Sequence, residues 1–269
     1  MNRTEYRAAC DAVKFREDFE ADAIRRLTER CGQPEEKEQT FMELKRTKRI
    51  AVLVAAAIAI LALSVSAAML WLTPSQAAER LSDPVLAEAF AGKDAVLLDE
   101  TVRSGGYTIT LGGLVSGKGI SRWCGDADES RTYAMVSLAR TDGTPLDGET
   151  FDYFGNTITP LAAGYPAWQL NTWTLGSSAQ AFIENGTAYY ILDTRDIQIF
   201  ADRTVYLAFY EGCDIPDAGM FDMAGDGSLS FAEGFSGAHA LFTLPLDPAL
   251  ADPEAAAQFA EDAGIPAER

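Results

Sequence analysis

IAVLVAAAIAILALSVSAAMLWL, residues 50–72, is a run of 23 residues without a charged side chain. At about 1.5 Å of rise per residue, a helix of this length spans roughly 34 Å, which exceeds the ~30 Å hydrocarbon core of a bilayer. Eleven of the residues are Leu, Ile or Val, and each favours insertion by about 0.3–0.6 kcal/mol. The run therefore predicts one transmembrane helix that divides the chain into a short and a long part.

Basic residues predict which part stays in the cytoplasm. Four basic residues directly precede the run, namely Lys45, Arg46, Lys48 and Arg49. The twenty residues after it contain one basic residue, Arg80. Because cytoplasmic flanks are enriched in Lys and Arg, we expect a cytoplasmic amino terminus, a location in the cell membrane and an extracytoplasmic carboxyl part. A cleaved signal peptide is the competing interpretation, but a 49-residue leader and a 23-residue apolar segment are both too long for that class.

The charge balance differs between the two sides of the predicted helix. Residues 1–49 carry 12 Lys plus Arg against 11 Asp plus Glu, a net charge of +1, and the remainder carries 10 against 29, a net charge of −19. An exported domain this acidic repels nucleic acid and other polyanions, so no direct nucleic-acid partner is expected. The 175 residues after position 94 are enough to bury one sizeable core.

The cytoplasmic segment, residues 1–49, has helical periodicity but too little material for a core of its own. Apolar residues form two stripes at helical spacing, namely Tyr6, Cys10 and Val13, then Phe15, Phe19, Ala23, Leu27 and Cys31. About thirty residues cannot bury a self-sufficient core, so these stripes need another surface. The helices closing on each other, the lipid bilayer and a cytoplasmic protein partner all satisfy that need.

The predicted membrane helix also carries a face of small residues. They are Ala51, Ala55, Ala59, Ala62 and Ser66. Small residues let two helices approach closely, so this face is a candidate for homodimerisation. The alanine-rich composition of the segment explains the same pattern without a dimer.

The sequence of the exported part predicts a helical stretch followed by a strand-rich domain. Residues 73–94 are helix-prone and are expected to form a helical stalk, and residues 95–269 are expected to form the domain. Within the domain, β-rich or alternating runs separated by turn residues predict strands at 107–111, 133–139, 181–184, 187–192, 197–200, 205–210, 228–231 and 238–244. Asn185-Gly186 is a strong hairpin signal, and Asp252-Pro253 is a helix start. We expect a mainly antiparallel β domain, a sandwich or open barrel, with a carboxyl-terminal helix.

Two short motifs resemble ligand-binding loops and lack essential parts. Gly112–Gly119 resembles a phosphate-binding loop, but Gly119 stands where Ser or Thr should hold magnesium, so a glycine-rich strand connection is expected. Residues 222–233 resemble a calcium loop, but Ala224 occupies the third ligand position and cannot coordinate. A β-hairpin with Asp226-Gly227 at its tip explains the same residues.

No catalytic constellation is evident in the sequence. His239 is the one histidine of the chain, and it lies in an apolar strand without a nucleophile motif. We therefore expect no enzyme activity, no catalytic residues, no metal and no cofactor. Trp123, Trp168 and Trp173 are candidates either for core packing or for lining a sugar or peptide groove.

The cysteines are shared between the two sides. Cys10 and Cys31 lie in the cytoplasmic segment, where thiols stay reduced. Cys124 and Cys213 lie in loops of the exported domain, where oxidation is permitted, and they are candidates for a disulfide. Sequence does not give their separation, so a bridge and two free thiols both remain open.

The whole layout resembles a family of Firmicutes-type, single-pass membrane anti-sigma-factor-like proteins with an extracytoplasmic domain of unknown function. The resemblance rests on MNRTEY at 1–6, KFREDFE at 14–20, the basic-flanked crossing and GAHALFTLPL at 237–246. It implies that the cytoplasmic helices hold an extracytoplasmic-function sigma factor away from RNA polymerase until an outside signal arrives. It further implies a partner-binding face of Tyr6, Val13, Phe15, Phe19, Ile24 and Leu27.

One departure from this resemblance concerns zinc. Zinc-containing anti-sigma domains use a His and a Cys-x-x-Cys, and residues 1–49 contain neither, so a zinc-free variant is expected. The alternative hypothesis is an envelope-anchored binding or structural module, in which the cytoplasmic tail supplies topology and lipid contact and no sigma factor is bound.

Overall fold

The computed structural model describes residues 71–121, 123, 130–212 and 215–265, all of which belong to one compact unit of the chain. The segment 1–49 that was predicted to be cytoplasmic, residues 50–70 of the predicted membrane helix, and both Cys124 and Cys213 lie outside the described residues. Within those described ranges, no helix has both the length and the hydropathy needed to cross a membrane.

Ten strands, three α-helices and three short 3₁₀ helices make up the regular structure of the described ranges. The helices are α1 (Pro74–Arg80), α2 (Pro84–Ala91) and α3 (Pro253–Asp262). The strands are β1 (Val96–Ser104), β2 (Tyr107–Lys118), β3 (Ser130–Arg140), β4 (Asn156–Ala162), β5 (Ser178–Glu184), β6 (Thr187–Arg195), β7 (Val205–Glu211), β8 (Phe221–Met223), β9 (Leu229–Phe231) and β10 (His239–Thr243).

Two antiparallel sheets face each other across the main core. One sheet has the strand order β1-β2-β3-β6-β5 and the other β10-β7-β4, while β8 and β9 form a separate two-stranded ribbon. Alternate residues of β2 and β3, such as Ile109 and Val136, pack in one cluster with Phe209 of β7 and Phe242 of β10. Because each sheet buries one face against the other, the domain is a β-sandwich. The expected mainly antiparallel β domain is thereby confirmed.

The hairpin predicted at Asn185-Gly186 is present between β5 and β6. Asn185 and Gly186 have φ values of 52° and 77°, and the flanking pair Glu184 and Thr187 is in register. Positive φ at both central positions is the geometry of a type I′ turn, which matches the twist of the flanking strands. The hairpin predicted from the local sequence is therefore confirmed.

The carboxyl-terminal helix also forms where it was expected. The Asp252 side chain accepts a hydrogen bond from the Ala255 backbone N–H at 3.0 Å, and Pro253 occupies the first turn of α3. The Phe259 ring meets Phe200 edge-on at 5.9 Å between centroids, which attaches α3 to the main core. The chain leaves the helix at Gly264, which has φ of +69°.

One predicted strand was wrong. Residues 197–200 form a 3₁₀ helix instead, because the Asp196 side chain accepts from the Gln198 backbone N–H at 3.0 Å and starts a helical turn. Ile197 and Phe200 are both buried, and a spacing of three residues brings them to one face of such a turn. A short apolar run in the sequence is compatible with a buried strand and with a 3₁₀ helix, so the pattern does not distinguish them.

The glycine-rich stretch 112–119 was expected to connect strands, and this expectation was wrong for most of its length. Gly112 to Lys118 lie inside the twelve-residue strand β2. A Cβ atom on Gly112 would lie 2.4 Å from Met135 Cε, and one on Gly113 would lie 2.7 Å from the Val96 carbonyl oxygen. The glycines therefore permit neighbouring strands and side chains to approach closely at a bulge in the β2–β3 register.

Candidate functional site

The first described residues of the chain are attached directly to the larger sheet. The Leu72 backbone N–H donates a hydrogen bond to Tyr189 Oη at 3.0 Å, across 117 positions of sequence. Tyr189 lies in β6, is 1% exposed, and stacks on Phe182 with 5.3 Å between ring centroids. Burial raises the pKa of Tyr189, so the hydroxyl stays protonated at neutral pH. The last residue of the apolar run 50–72 is thus anchored to a central strand of the sheet.

Local capping starts both helices that follow. The Thr73 hydroxyl accepts from the Gln76 backbone N–H while the Gln76 side chain accepts from the Thr73 N–H, which forms a capping box ahead of Pro74. Asp83 caps α2 with a single hydrogen bond, which its side chain accepts from the Leu86 N–H at 2.9 Å. These caps explain why the predicted helical character of residues 73–94 is found as two short helices.

The helix pair α1–α2 packs on the sheet face that points away from the sandwich core. Its buried side chains form one cluster with β2, β3 and β6, composed of Ala77, Ala78, Leu86, Ala87, Phe90, Val115, Tyr133, Met135, Tyr189 and Ile191. The Ser75 hydroxyl donates to the Ala87 carbonyl at 2.8 Å and ties the two helices together. The segment we expected to be a stalk is therefore a third layer of the domain, because its apolar face is needed to cover the sheet.

An open groove lies beside this helix pair, and we call it the junction groove. It has a volume of about 310 Å³, and its walls include Trp71, Leu72, Asp99, Thr110 and Met135. Asp99 has φ of +50° at a bulge in the β1–β2 register, a conformation that non-glycine residues adopt at a cost. A ligand in the junction groove would contact both the sheet and the residues that end the apolar run.

A buried ion pair holds β3 to β6 within the same sheet. Arg131 Nε donates to Asp193 Oδ1, and Arg131 Nη2 donates to the Gly176 carbonyl at 3.0 Å. Both side chains of the pair are at most 5% exposed. The pair joins neighbouring strands, and neither residue lines the junction groove, so we interpret the pair as structural.

The calcium-loop-like stretch forms the predicted hairpin. Asp222 pairs with Ser230 in the ribbon β8–β9, and Gly227 at the tip has φ of +82°. Asp226 accepts from the Ser228 hydroxyl at 2.6 Å and from the Ser228 backbone N–H at 3.0 Å, and these bonds lower the pKa of Asp226. In the part of the chain that the structure describes, no group of three or more His, Cys, Asp or Glu side chains could hold a metal ion.

His239 lies in strand β10, as the sequence indicated. Its Nδ1 atom is 2.8 Å from the Gly237 carbonyl oxygen, so this nitrogen donates in that contact. The imidazole packs beside Phe231 and Phe235, with centroid separations of 4.5 and 5.3 Å. The ring is therefore part of an aromatic cluster under the ribbon β8–β9.

The three tryptophans singled out in the sequence have different surroundings. Trp123 packs partly buried against the cluster beneath α1 and α2. Trp168 and Trp173 are 48% and 75% exposed, respectively. Core packing thus accounts for Trp123 alone among them.

The contact made by Tyr189 and the junction groove leave no signal in the local sequence. Tyr189 belongs to a predicted strand, but its hydrogen-bond partner lies 117 residues earlier, so no local pattern could pair them. The predicted partner-binding residues, Tyr6, Val13, Phe15, Phe19, Ile24 and Leu27, and the topology residues, Lys45, Arg46, Lys48 and Arg49, lie outside the described ranges.

Comparisons of the chain with protein-family models, with curated proteins and with solved structures gave no match in any of the three.

Proposed function

We propose that this chain is a single-pass membrane signalling protein, an anti-sigma factor that sequesters an extracytoplasmic-function sigma factor through its amino-terminal helices. Residues 50–72 would form the crossing, and Lys45, Arg46, Lys48 and Arg49 would keep residues 1–49 in the cytoplasm. The sigma factor would be the cytoplasmic partner, and the proposal includes no enzyme activity, metal or cofactor.

The amphipathic cytoplasmic segment is the observation that supports a protein partner. Its two apolar stripes alternate with charged residues, and it is too short to bury them in a core of its own. Amphipathic helices that have no core of their own can bury their apolar face in a groove of another protein. The bound segment then masks a surface of the sigma factor. This binding equilibrium keeps the sigma factor from RNA polymerase while the segment remains attached to the membrane.

The attachment of Leu72 to Tyr189 supports a role for the outer domain in regulation. Residues 71–92 are held by helix caps, by the Tyr189 hydrogen bond and by the apolar cluster beneath α1 and α2. A protease needs its substrate segment unfolded, so cleavage next to the membrane would require this segment to leave the sheet. Proteolysis or a change in oligomeric state would pass the outside signal to residues 1–49 more easily than a conformational change would, because a single membrane helix transmits conformation poorly.

Recovery of a sigma factor with the full chain tests the proposal. The tagged chain is purified from native membranes, and bound proteins are identified by mass spectrometry. We expect a sigma factor with the unmodified chain, and its loss when Phe15→Ala, Phe19→Ala and Leu27→Ala are combined, because these changes remove one apolar stripe.

A matched triple variant provides the control. Arg16→Ala, Glu20→Ala and Thr28→Ala change neighbouring polar positions and should leave the sigma factor bound. The absence of any sigma factor from the unmodified chain, or equal loss in both triple variants, would contradict the proposal.

An envelope-anchored binding module without a sigma factor is the second candidate. The exposed side chains of Trp168 and Trp173 favour it, because large aromatic residues outside the core are common at binding surfaces. Replacing residues 1–40 with an unrelated basic leader separates the candidates. The binding module predicts that function survives this replacement, whereas the anti-sigma proposal predicts that regulation is lost.

A further inference from the structure

An open trough lies on the domain surface between three separate segments of the chain, and we call it the hairpin trough. The segments are the loop 163–169 after β4, the turn 201–204 before β7, and the ribbon β8–β9 with its tip. Its volume is about 780 Å³, which lies within the range of small-molecule binding sites. None of these residues belongs to the junction groove or to the predicted partner-binding face.

Backbone hydrogen bonds fix the walls of the hairpin trough relative to each other. The Gly164 N–H donates to the Gly227 carbonyl at 2.9 Å, and the Ala163 N–H donates to the Thr204 carbonyl at 2.8 Å. A Cβ atom on Gly227 would lie 2.9 Å from the Gly164 nitrogen, so glycine permits the hairpin tip to approach this loop. The backbone of the trough walls is therefore held in place by the fold itself.

Trp168 contributes a large aromatic side chain to the trough from a fixed backbone turn. The side chain is 48% exposed, and its backbone is held in a turn in which the Gln169 and Leu170 N–H groups both donate to the Pro166 carbonyl. A half-exposed indole on a fixed turn loses little conformational freedom when a ligand stacks on it.

Planar polar groups line the same trough as Trp168. Arg203 donates through Nε and Nη2 to both carboxylate oxygens of Asp202, at 3.2 Å each, and its guanidinium lies 4.9 Å from the centre of the Tyr165 ring. Asp226 contributes a second carboxylate, whose pKa is lowered by the Ser228 hydroxyl, and Gln169 contributes an amide. The orientations of Arg203 and Asp226 are thus set before any ligand arrives.

We infer that the hairpin trough binds a neutral oligosaccharide. The apolar C–H face of a sugar ring stacks on an aromatic side chain, and its hydroxyls exchange hydrogen bonds with planar carboxylate, guanidinium and amide groups. Anionic ligands fit poorly because Asp202 and Asp226 outnumber Arg203, which already pairs with Asp202. A wholly apolar ligand would leave these charged groups desolvated.

Calorimetric titration of the full chain with neutral tetrasaccharides tests this inference. The chain is placed in phosphatidylcholine nanodiscs, because sugar-based detergents would compete for the site. The probes are the β-1,4-linked N-acetylglucosamine tetramer, cellotetraose and maltotetraose. We expect at least one to bind with Kd of about 0.1–1 mM, and Trp168→Ala to weaken that binding about tenfold or more.

Trp173→Ala is the matched control, because Trp173 is also exposed but does not line the trough. It should change Kd by less than about twofold. The inference is overturned if none of the three sugars binds, if both tryptophan variants weaken binding equally, or if an octalysine peptide binds through Trp168 while the sugars do not. Neither tryptophan lies in residues 1–49, and no sigma factor takes part in these titrations, so their outcome is independent of the sigma-factor proposal.

Discussion

Many aspartates of the β domain have a local structural role. Among the described residues, eight accept a hydrogen bond from a nearby backbone N–H at a turn or helix start, namely Asp83, Asp142, Asp147, Asp196, Asp217, Asp226, Asp247 and Asp252. A carboxylate satisfies backbone donors that the turn leaves open. Turn and cap chemistry therefore explains part of the acidic excess of the β domain.

Asp226 should titrate below its ordinary pKa of 3.8 because the ionised form accepts both Ser228 hydrogen bonds. A lowered folded-state pKa stabilises the fold above the unfolded value, and this contribution is lost as pH falls through the folded pKa. We expect Ser228→Ala to move the midpoint back up, measured by carboxyl ¹³C shifts in labelled protein. Ser230→Ala, in the same ribbon, should leave the midpoint in place. A midpoint at or above 3.8 in the unmodified chain would contradict the prediction.

At the scale of elements, two glycines in tight turns differ in what surrounds them. Gly143 and Gly186 have almost the same backbone angle, φ of +78° and +77°. A Cβ on Gly143 would meet nothing within 4 Å, whereas one on Gly186 would lie 2.4 Å from Pro145 Cβ. The Gly186 carbonyl also accepts from the Leu146 N–H at 2.9 Å. The β5–β6 turn is therefore a packing element as well as a chain reversal.

Gly186→Ala should destabilise the domain more than Gly143→Ala. Both substitutions impose a left-handed conformation on alanine, at a cost of about 1–2 kcal/mol. Gly186→Ala adds a steric conflict with Pro145, which we expect to lower the free energy of unfolding by a further ~1–3 kcal/mol, as overpacking of a core does. Urea denaturation followed by tryptophan fluorescence measures the difference. Equal losses of unfolding free energy in the two variants would rule out the Pro145 contact as its cause.

At the scale of the whole molecule, the helix pair α1–α2 makes the domain three-layered. The sandwich core lies between the two sheets, and the second cluster lies between the larger sheet and the helices. Covering the outer face of β3 and β6 hides side chains such as Tyr133 and Ile191 from water. The residues next to the predicted crossing therefore contribute to the stability of the entire domain.

Leu86→Ala should lower the global free energy of unfolding by about 2–5 kcal/mol, because Leu86 is fully buried between α2 and the sheet. Val85→Ala is the control, since Val85 is 55% exposed on the same helix and its replacement should cost about 0.5 kcal/mol or less. Urea denaturation of the full chain in nanodiscs measures both. If Leu86→Ala left the unfolding of the β domain unchanged, the helices would be an independent stalk.

Local patterns predicted much of the fold and little of the candidate sites. The Asn185-Gly186 turn, the Asp226-Gly227 tip and the Asp252-Pro253 helix start were predictable because their causes lie within a few residues. Residues 197–200 were mispredicted because four residues with an apolar pattern suit either a strand or a 3₁₀ turn. The hairpin trough was not foreseen, since its walls come from three segments that only the folded chain brings together.

The sequence by itself determined the apolar run with its basic flank, the strand-forming segments, the tight turns and the capped helices, because hydropathy and short-range hydrogen bonding decide these features locally. Tertiary structure alone decided that Leu72 contacts Tyr189, that α1 and α2 form a layer of the domain, and that Trp168 and Asp226 line one trough. Those contacts join distant positions, and their existence depends on how two sheets and a helix pair share apolar surface.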